Sequence, residues 1–444
     1  MLTTFLTAVG LCVTIIYVLK HVYTFQIKEY RWDRMRARFE DKGIIAVLYE
    51  ADFRPPSIKS PRNALILVLS CVLLVGISQL LPQHIVASVG LIVFAPIIAF
   101  VCVSVGVLAT AIPVALYRKR IVQKAHGIVT YLSPQVIGVT GSYGKSITKD
   151  YIHHILSQKY KTAKTPRNQN TAVGVALAVL HHLTRDTQWF VAEMGAYKAG
   201  EIAEIADVMK PKIAVITAIG TQHISLFGGK EQLFKAKTEI VHKLPKDGYL
   251  FIPESMDKLI KMRIKRITPC PVVEYQTFPH DPHATALSAA KEVAKKVAFT
   301  DQEIEKAIIR IEKPLHVSPQ THPRGHMYID CSQSSNVEGF ISHLHTLKAV
   351  HKSKKMVLAS GVIELGAHKK EAYLRILQAL PSHTTLYTTD KTFKTLAIGT
   401  PQSRWVVHQR SQRALISAVH KALTAETIIL VEGRFRPDYL DQIL

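Results

Sequence analysis

Gln135–Thr140 (QVIGVT) is an unbroken apolar run, Gly141-Ser142-Tyr143-Gly144-Lys145-Ser146 follows it, and Ile147–Gln158 then has helical spacing. A short run of this kind, without alternation, reads as a strand buried on both faces of a parallel sheet. A glycine-rich turn that carries Gly-Lys-Ser into a helix is the phosphate-loop arrangement. Glycines allow backbone N–H groups to converge on phosphate oxygens at a helix N-terminus. In that arrangement Lys145 reaches the terminal phosphates and Ser146 ligates Mg²⁺. The common spacing has glycine at position 139, where this chain has Val139 between Gly138 and Gly141.

Downstream of the loop the texture is alternating strand and helix, the pattern of an α/β domain. Glu193 ends one expected strand and His223 follows another. In a parallel sheet both lie at the carboxyl edge, beside the phosphate loop. A carboxylate, an imidazole and the Ser146 hydroxyl can together hold Mg²⁺ against phosphate oxygens. Residues 284–299 and 301–311 read as helices. Strands are then expected at Met327–Cys331, Lys355–Ala359, Thr385–Thr389, Trp405–His408 and Thr427–Glu432, with helices at 337–350, 368–380, 411–423 and 437–444. This second part reads as Rossmann-like.

Upstream the composition belongs in a bilayer. Residues 2–19, 64–81 and 85–117 are apolar runs long enough to span one, the third interrupted by Pro96 and Pro113. Basic residues crowd the segment 20–63 and Arg118-Lys119-Arg120, whereas 82–84 carries no Lys or Arg. By the positive-inside rule this gives three spans, the N-terminus outside and the catalytic part cytoplasmic. The stretch Tyr30–Phe39 mixes aromatic and basic residues at helical spacing. It reads equally as a segment lying along anionic lipid headgroups or as a solvated linker. Domains are thus expected at 1–120, 121–312 and 313–444. The formal net charge of +23 calls for an anionic partner or surface, and nucleic acid, lipid headgroups and phosphorylated small molecules all fit it. Five cysteines without a C-x-x-C pair indicate neither a zinc motif nor a disulfide framework.

The loop variant and the segments that follow resemble the Mur ligase family, most closely its D-alanyl-D-alanine-adding branch. The segments are Thr165–Thr171 with Gly174, Phe190–Gly195 with Gly200-Glu201-Ile202, Thr217–His223, and Ala236-Lys237-Thr238-Glu239. Weaker likenesses continue at Asp330–Asn336, Glu364-Leu365-Gly366 and Glu432-Gly433-Arg434, the last two resembling the family's Glu-Leu-Gly turn and closing Lys-Gly-Ser-Arg. The resemblance implies ATP and Mg²⁺ as cofactors and an ADP-forming acid–amino-acid ligase. Lys145, Lys237 and His223 would be catalytic. Gly141, Ser142, Tyr143, Gly144, Lys145, Ser146, Asn170, His316 and Asp330 would contact the nucleotide. Ser146, Glu193, His223 and Lys237 would hold metal, Lys237 as a CO₂ adduct. Some positions depart from the pattern. A family Asp is Cys331, the Gly-Arg motif falls at Leu315-His316, the His-Asn pair falls near Asp281-Pro282, and Leu-Asn-Ala-Asp is Ile252-Pro253-Glu254-Ser255. Membrane helices stand where the family has its nucleotide-sugar-gripping domain.

The function expected is a membrane-anchored ligase that activates a carboxylate as an acyl phosphate and joins it to an amino acid or dipeptide, in peptidoglycan precursor synthesis. Its partners would be ATP, an anionic cell-wall precursor or peptide acceptor, and the membrane, with no nucleic acid. The other readings are a poly-γ-glutamate-synthase-like ligase and a catalytically degenerate, nucleotide-binding membrane scaffold.

Overall fold

A computed structural model describes the chain except residues 51–54, 58–59, 81, 83, 167–168, 221–226, 279–280, 310–318, 333–335, 363–364, 434, 436–439, 442 and 444. His223, His316, the expected boundary at 312–313 and most of the expected 437–444 helix lie outside the described residues. The chain divides into two compact units, Met1–Ile121 and Val122–Leu444.

The first unit is helical: α1 (Leu2–Ile27), α2 (Trp32–Lys42), α3 (Ile44–Tyr49), α4 (Pro61–Leu80), α5 (Ile85–Val93) and α6 (Ala95–Ala109), with α7 (Ala111–Leu132) beginning here. Three helical stretches, Leu2–Ile27, Pro61–Leu80 and Ala95–Leu132, are long and apolar enough to cross a membrane. Within the run 85–117 the helix is divided near Phe94 and Thr110, close to the two prolines that interrupt it. Pro96 sits in the first turn of α6 and Pro113 in that of α7, where a missing N–H leaves no hydrogen bond broken. Val18, Val22, Phe25, Met35, Ile66, Ala99 and Val103 form the core of this unit. Gly106 lets α4 and α6 close up, since a Cβ there would stand 3.1 Å from Ile66 Cγ2. The basic stretch after α1 is largely self-neutralised. Arg31 pairs with Asp33, Arg34 with Glu29, Arg36 with Glu40 and Arg38 with Glu50.

The second unit contains two sheets. β1 (Gln135–Thr140), β2 (Thr162–Lys164), β3 (Trp189–Glu193), β4 (Ile213–Ile216), β5 (Tyr249–Pro253) and β6 (Val272–Tyr275) form an all-parallel sheet in the order β2-β3-β1-β4-β5-β6. β1 and β4 are buried nearly throughout, as their unbroken apolar runs require. Helices α8 (Lys145–Leu156), α9 (Ala172–His182) and α10 (Glu201–Met209) follow β1, β2 and β3. One side of the sheet is closed by α8 and the helix Pro282–Lys296. There Ile152, Ile155 and Leu156 meet the small residues Ala286, Ala289, Ala290 and Ala294.

The second sheet comprises β7 (Gln320–Thr321), β8 (Met327–Cys331), β9 (Lys354–Ala359), β10 (Thr384–Thr388), β11 (Val406–His408) and β12 (Thr427–Glu432). Its order is β11-β10-β9-β12-β8-β7, parallel except for the β7–β8 pair. The expected α/β class with mainly parallel sheets is borne out, and the strands fall within a residue or so of their expected bounds.

Candidate active site

In the first sheet the chain leaves β1 to build the β2–β3 side and then returns to β4 on the other side of β1. The carboxyl ends of β1 and β4 therefore flank the switch point of the sheet, where open α/β sheets bind ligands. The loop 141–144 lies there and turns directly into α8. Gly141 has φ +142°, and a Cβ on it would stand 2.2 Å from Thr217 Oγ1. Gly144, with φ +78°, caps α8 in the left-handed region. Thr217 and Ala218, just after β4, pin the loop. The Thr217 hydroxyl donates to the Thr140 carbonyl at 3.2 Å and to the Tyr143 carbonyl. Ser142 N–H donates to the Ala218 carbonyl at 2.9 Å, and Ser142 Oγ accepts from Gly220 N–H at 2.9 Å. Both polar groups of Ser142 are thus engaged within the protein, tying the loop to β4.

Lys145 opens α8 and its ammonium donates to the Gly141 carbonyl at 2.8 Å. One helical turn later Lys149 points inward and reaches Glu193 Oε2 at 3.3 Å, each side chain 1 % exposed. Asn170 Nδ2 donates to the other oxygen, Glu193 Oε1, at 2.9 Å. The Asn170 carbonyl accepts from Gly195 N–H at 2.7 Å, and a Cβ on Gly195 would collide with the Asn170 side chain at 2.7 Å. Glu193 is therefore a buried carboxylate fixed from two sides at the end of β3. Lys149 was missed in the sequence. Its signal was the spacing of four from Lys145, which puts both lysines on one helix face.

Two further motifs converge. Lys237, near the end of the Lys230–Thr238 helix, is 2 % exposed, with Nζ 3.5 Å from the Ala196 carbonyl. Glu239 turns back onto the start of α10, accepting from Gly200 N–H at 2.5 Å and Ala203 N–H at 3.0 Å. Burial pulls the Lys237 ammonium down to about 7, and the charge of Lys145 adds to this, against Glu201 and Glu239. Burial also lowers Lys145, opposed by Glu193. The structure thus brings Lys145, Glu193, Asn170 and Lys237 into one electrostatic neighbourhood. Ser146 is half-buried one residue along α8. Tyr143 lies against the second sheet's domain, within the field of Glu338 and Arg375. Asp330 sits at the end of β8, its carboxylate accepting from Ser332 N–H at 2.9 Å. At the departing positions, Asp281 caps the Pro282–Lys296 helix and the Glu254 carboxylate accepts from Thr277 N–H.

The family Mur ligase middle domain matches this segment. The match runs over residues 139–316. The resemblance drawn from the motifs is borne out by relatives as well. The chain is 41 % identical over 128 residues to the UDP-N-acetylmuramoyl-tripeptide–D-alanyl-D-alanine ligase of Bacillus subtilis (strain 168), covering 29 % of this chain and 28 % of that one. It is 23 % identical over 266 residues to the ligase of the same name from Treponema pallidum (strain Nichols), covering 54 % and 58 %. The match therefore spans less than two thirds of these relatives. In three dimensions the Mur ligase fold extends further. MurF from Acinetobacter baumannii superposes with a TM-score of 0.65 at 19 % identity, over 73 % of this chain and 79 % of that one. MurF ligase from Thermotoga maritima, solved in complex with ADP, gives 0.61 at 18 % identity, over 73 % and 82 %. At these identities the likeness is one of fold.

Proposed function

We propose that this chain is a membrane-anchored, ATP-dependent and ADP-forming ligase, which activates a carboxylate as an acyl phosphate and joins it to an amino acid or dipeptide in peptidoglycan precursor synthesis. The observation that carries the reading is the convergence of Lys145, the Lys149–Glu193–Asn170 cluster and Lys237 at the carboxyl edge of the first sheet. The names of the curated relatives and the ADP-bound fold neighbour support the same chemistry.

The residues suit Mg²⁺ and a nucleotide phosphate. Gly141 lets the loop pack against Thr217 and Ala218, where any Cβ would collide, and Ser146 and Glu193 offer the hard oxygen donors that Mg²⁺ takes. Mg-ATP, when bound, supplies the transferable phosphoryl group and the metal charge. Everything else falls to the chain. Lys145, at the head of α8, places positive charge where the phosphoryl group's negative charge grows. Lys149 and Asn170 hold Glu193 in one orientation, so no reorganisation is needed to present it. A Lys237 amine lowered to about 7 is substantially neutral at physiological pH, and a neutral amine can add to the carbon of CO₂ and release one N–H proton to solvent, leaving a carbamate. As a carbamate it would exchange a repelling cation for an oxygen ligand.

The three long apolar stretches support an anchor, and the basic residues flanking them support a cytoplasmic placement of 118–444. The test uses the full chain in detergent or nanodiscs with ATP, Mg²⁺, muramoyl-peptide acids and D-alanyl-D-alanine. Phosphate release that needs both acid and amine, with a coupled product by mass, is the result expected. No release with any acid–amine pair would overturn the ligase reading.

A further inference from the structure

Cys331, His343 and Glu432 meet at the carboxyl edge of the second sheet. One ligand atom of each lies within 4.8 Å of the others. Cys331 ends β8 and Glu432 ends β12, and the two are register partners across the parallel pair. His343 comes from the Val337–Ala349 helix that covers this side of the sheet. It occupies the inward stripe with Phe340, Leu344 and Leu347. All three are buried, at 5 %, 8 % and 2 % exposure for Cys331, His343 and Glu432. Around them the core is apolar, with Ile329, Phe340, Leu344 and Leu430.

A carboxylate in such a place costs several kcal/mol unless it is compensated. His343 Nδ1 hydrogen-bonds Glu432 Oε1, which accounts for two of the three groups. It does not account for a thiol at the same point, nor for Asp330, whose negative charge also acts on Cys331 and Glu432. Three residue types that ligate metals, drawn from two strands and a helix, converge with surplus negative charge around them. Cys331 is also one of the positions at which the sequence departs from the Mur pattern.

We infer that Cys331 Sγ, His343 Nδ1 and Glu432 carboxylate form a transition-metal site, and that its ion is Zn²⁺. Thiolate and imidazole donors select against Mg²⁺ and Ca²⁺, and one sulfur, one nitrogen and one oxygen ligand suit tetrahedral zinc. Three protein ligands leave a fourth position open. On binding, the thiol proton of Cys331 leaves to solvent as the S–Zn bond forms, and the imidazole takes the Nε2–H tautomer so that the Nδ1 lone pair faces the metal. Thiolate and carboxylate then balance the ion's charge. Its ligands come from the second sheet and its covering helix, and none of them is among the residues assigned to Mg²⁺ above.

The test is metal analysis of the full chain, made without a polyhistidine tag, purified in detergent and dialysed against metal-free buffer. About one zinc per chain is expected. Cys331→Ser and His343→Ala should bring zinc to background and lower the melting temperature. Co²⁺ added to demetallated wild-type protein should give a thiolate-to-cobalt charge-transfer band, absent in Cys331→Ser. The band in the wild type decides the matter even if the variants fold poorly. Protein isolated without zinc that develops no such band overturns the site, as does zinc that remains in folded Cys331→Ser.

Discussion

Lys149 holds Glu193 at 3.3 Å in a setting where neither side chain is more than 1 % exposed. An ion pair this deep is costly to break from one side. Lys149→Met would leave the carboxylate buried with Asn170 as its remaining partner among those described here, at about 3–5 kcal/mol of stability. Lys149→Met with Glu193→Gln should recover much of that loss, because no uncompensated charge then remains. Urea unfolding of both variants measures the difference, and equal losses would show that the pair contributes nothing beyond packing.

Removing the ammonium of Lys145 should abolish phosphoryl transfer without unfolding the protein. Its hydrogen bonds are to carbonyls of its own loop, so Lys145→Ala costs little stability. The rate of ATP-dependent ligation should fall on the order of 10²–10³-fold or more. Near wild-type turnover would remove Lys145 from the mechanism.

For Lys237 the folded-state pKa is near 7, against an ordinary lysine value of 10.5. Between those values the unfolded chain binds more protons than the folded one. Stability from this group therefore rises with pH across that window. The burial cost is present in full below about pH 7 and has vanished above the ordinary value. In CO₂-free buffer, Lys237→Met should be more stable than wild type at acidic pH, with the gain shrinking as pH rises. A pH-independent difference would contradict a buried, depressed amine.

The same lysine gives an activity prediction. Turnover should depend on bicarbonate, Lys237→Ala should be nearly inactive, and a short added carboxylate should restore part of the rate. Full activity of Lys237→Ala would mean the amine serves only as a buried structural group.

Much of the first sheet was legible because a double-sided apolar strand followed by a Gly-Lys-Ser turn has few other solutions. Glu193 could be placed at the strand end from the sequence. What fixes it could not, because Lys149 and Asn170 become its partners only once α8 and the segment before α9 fold against β3. The breaks in the 85–117 run were legible more coarsely: they fall near Phe94 and Thr110, just before Pro96 and Pro113, because proline is tolerated in the first turn of the helix that follows. The zinc-type cluster was invisible because its members are 12 and 89 residues apart in sequence, Cys331 and Glu432 meeting through the β8–β12 register and His343 through the helix packed on it.

Membrane topology is open to a direct check. With the five native cysteines replaced, Thr300→Cys should resist membrane-impermeant thiol reagents in intact cells and react after lysis. Labelling from outside would reverse the orientation drawn from the basic residues.

β12 is the last described strand in chain order, yet it lies inside its sheet, between β9 and β8. During synthesis β8 and β7 can pair, and β9, β10 and β11 can pair, but no described strand joins the two groups until residues 427–432 have left the ribosome. Completion of this half therefore waits for β12, whatever the first sheet does earlier. A premature stop a few residues before Thr427 would not trim the protein; it would leave two open sheet edges facing each other across an empty slot, an aggregation hazard rather than a shortened enzyme.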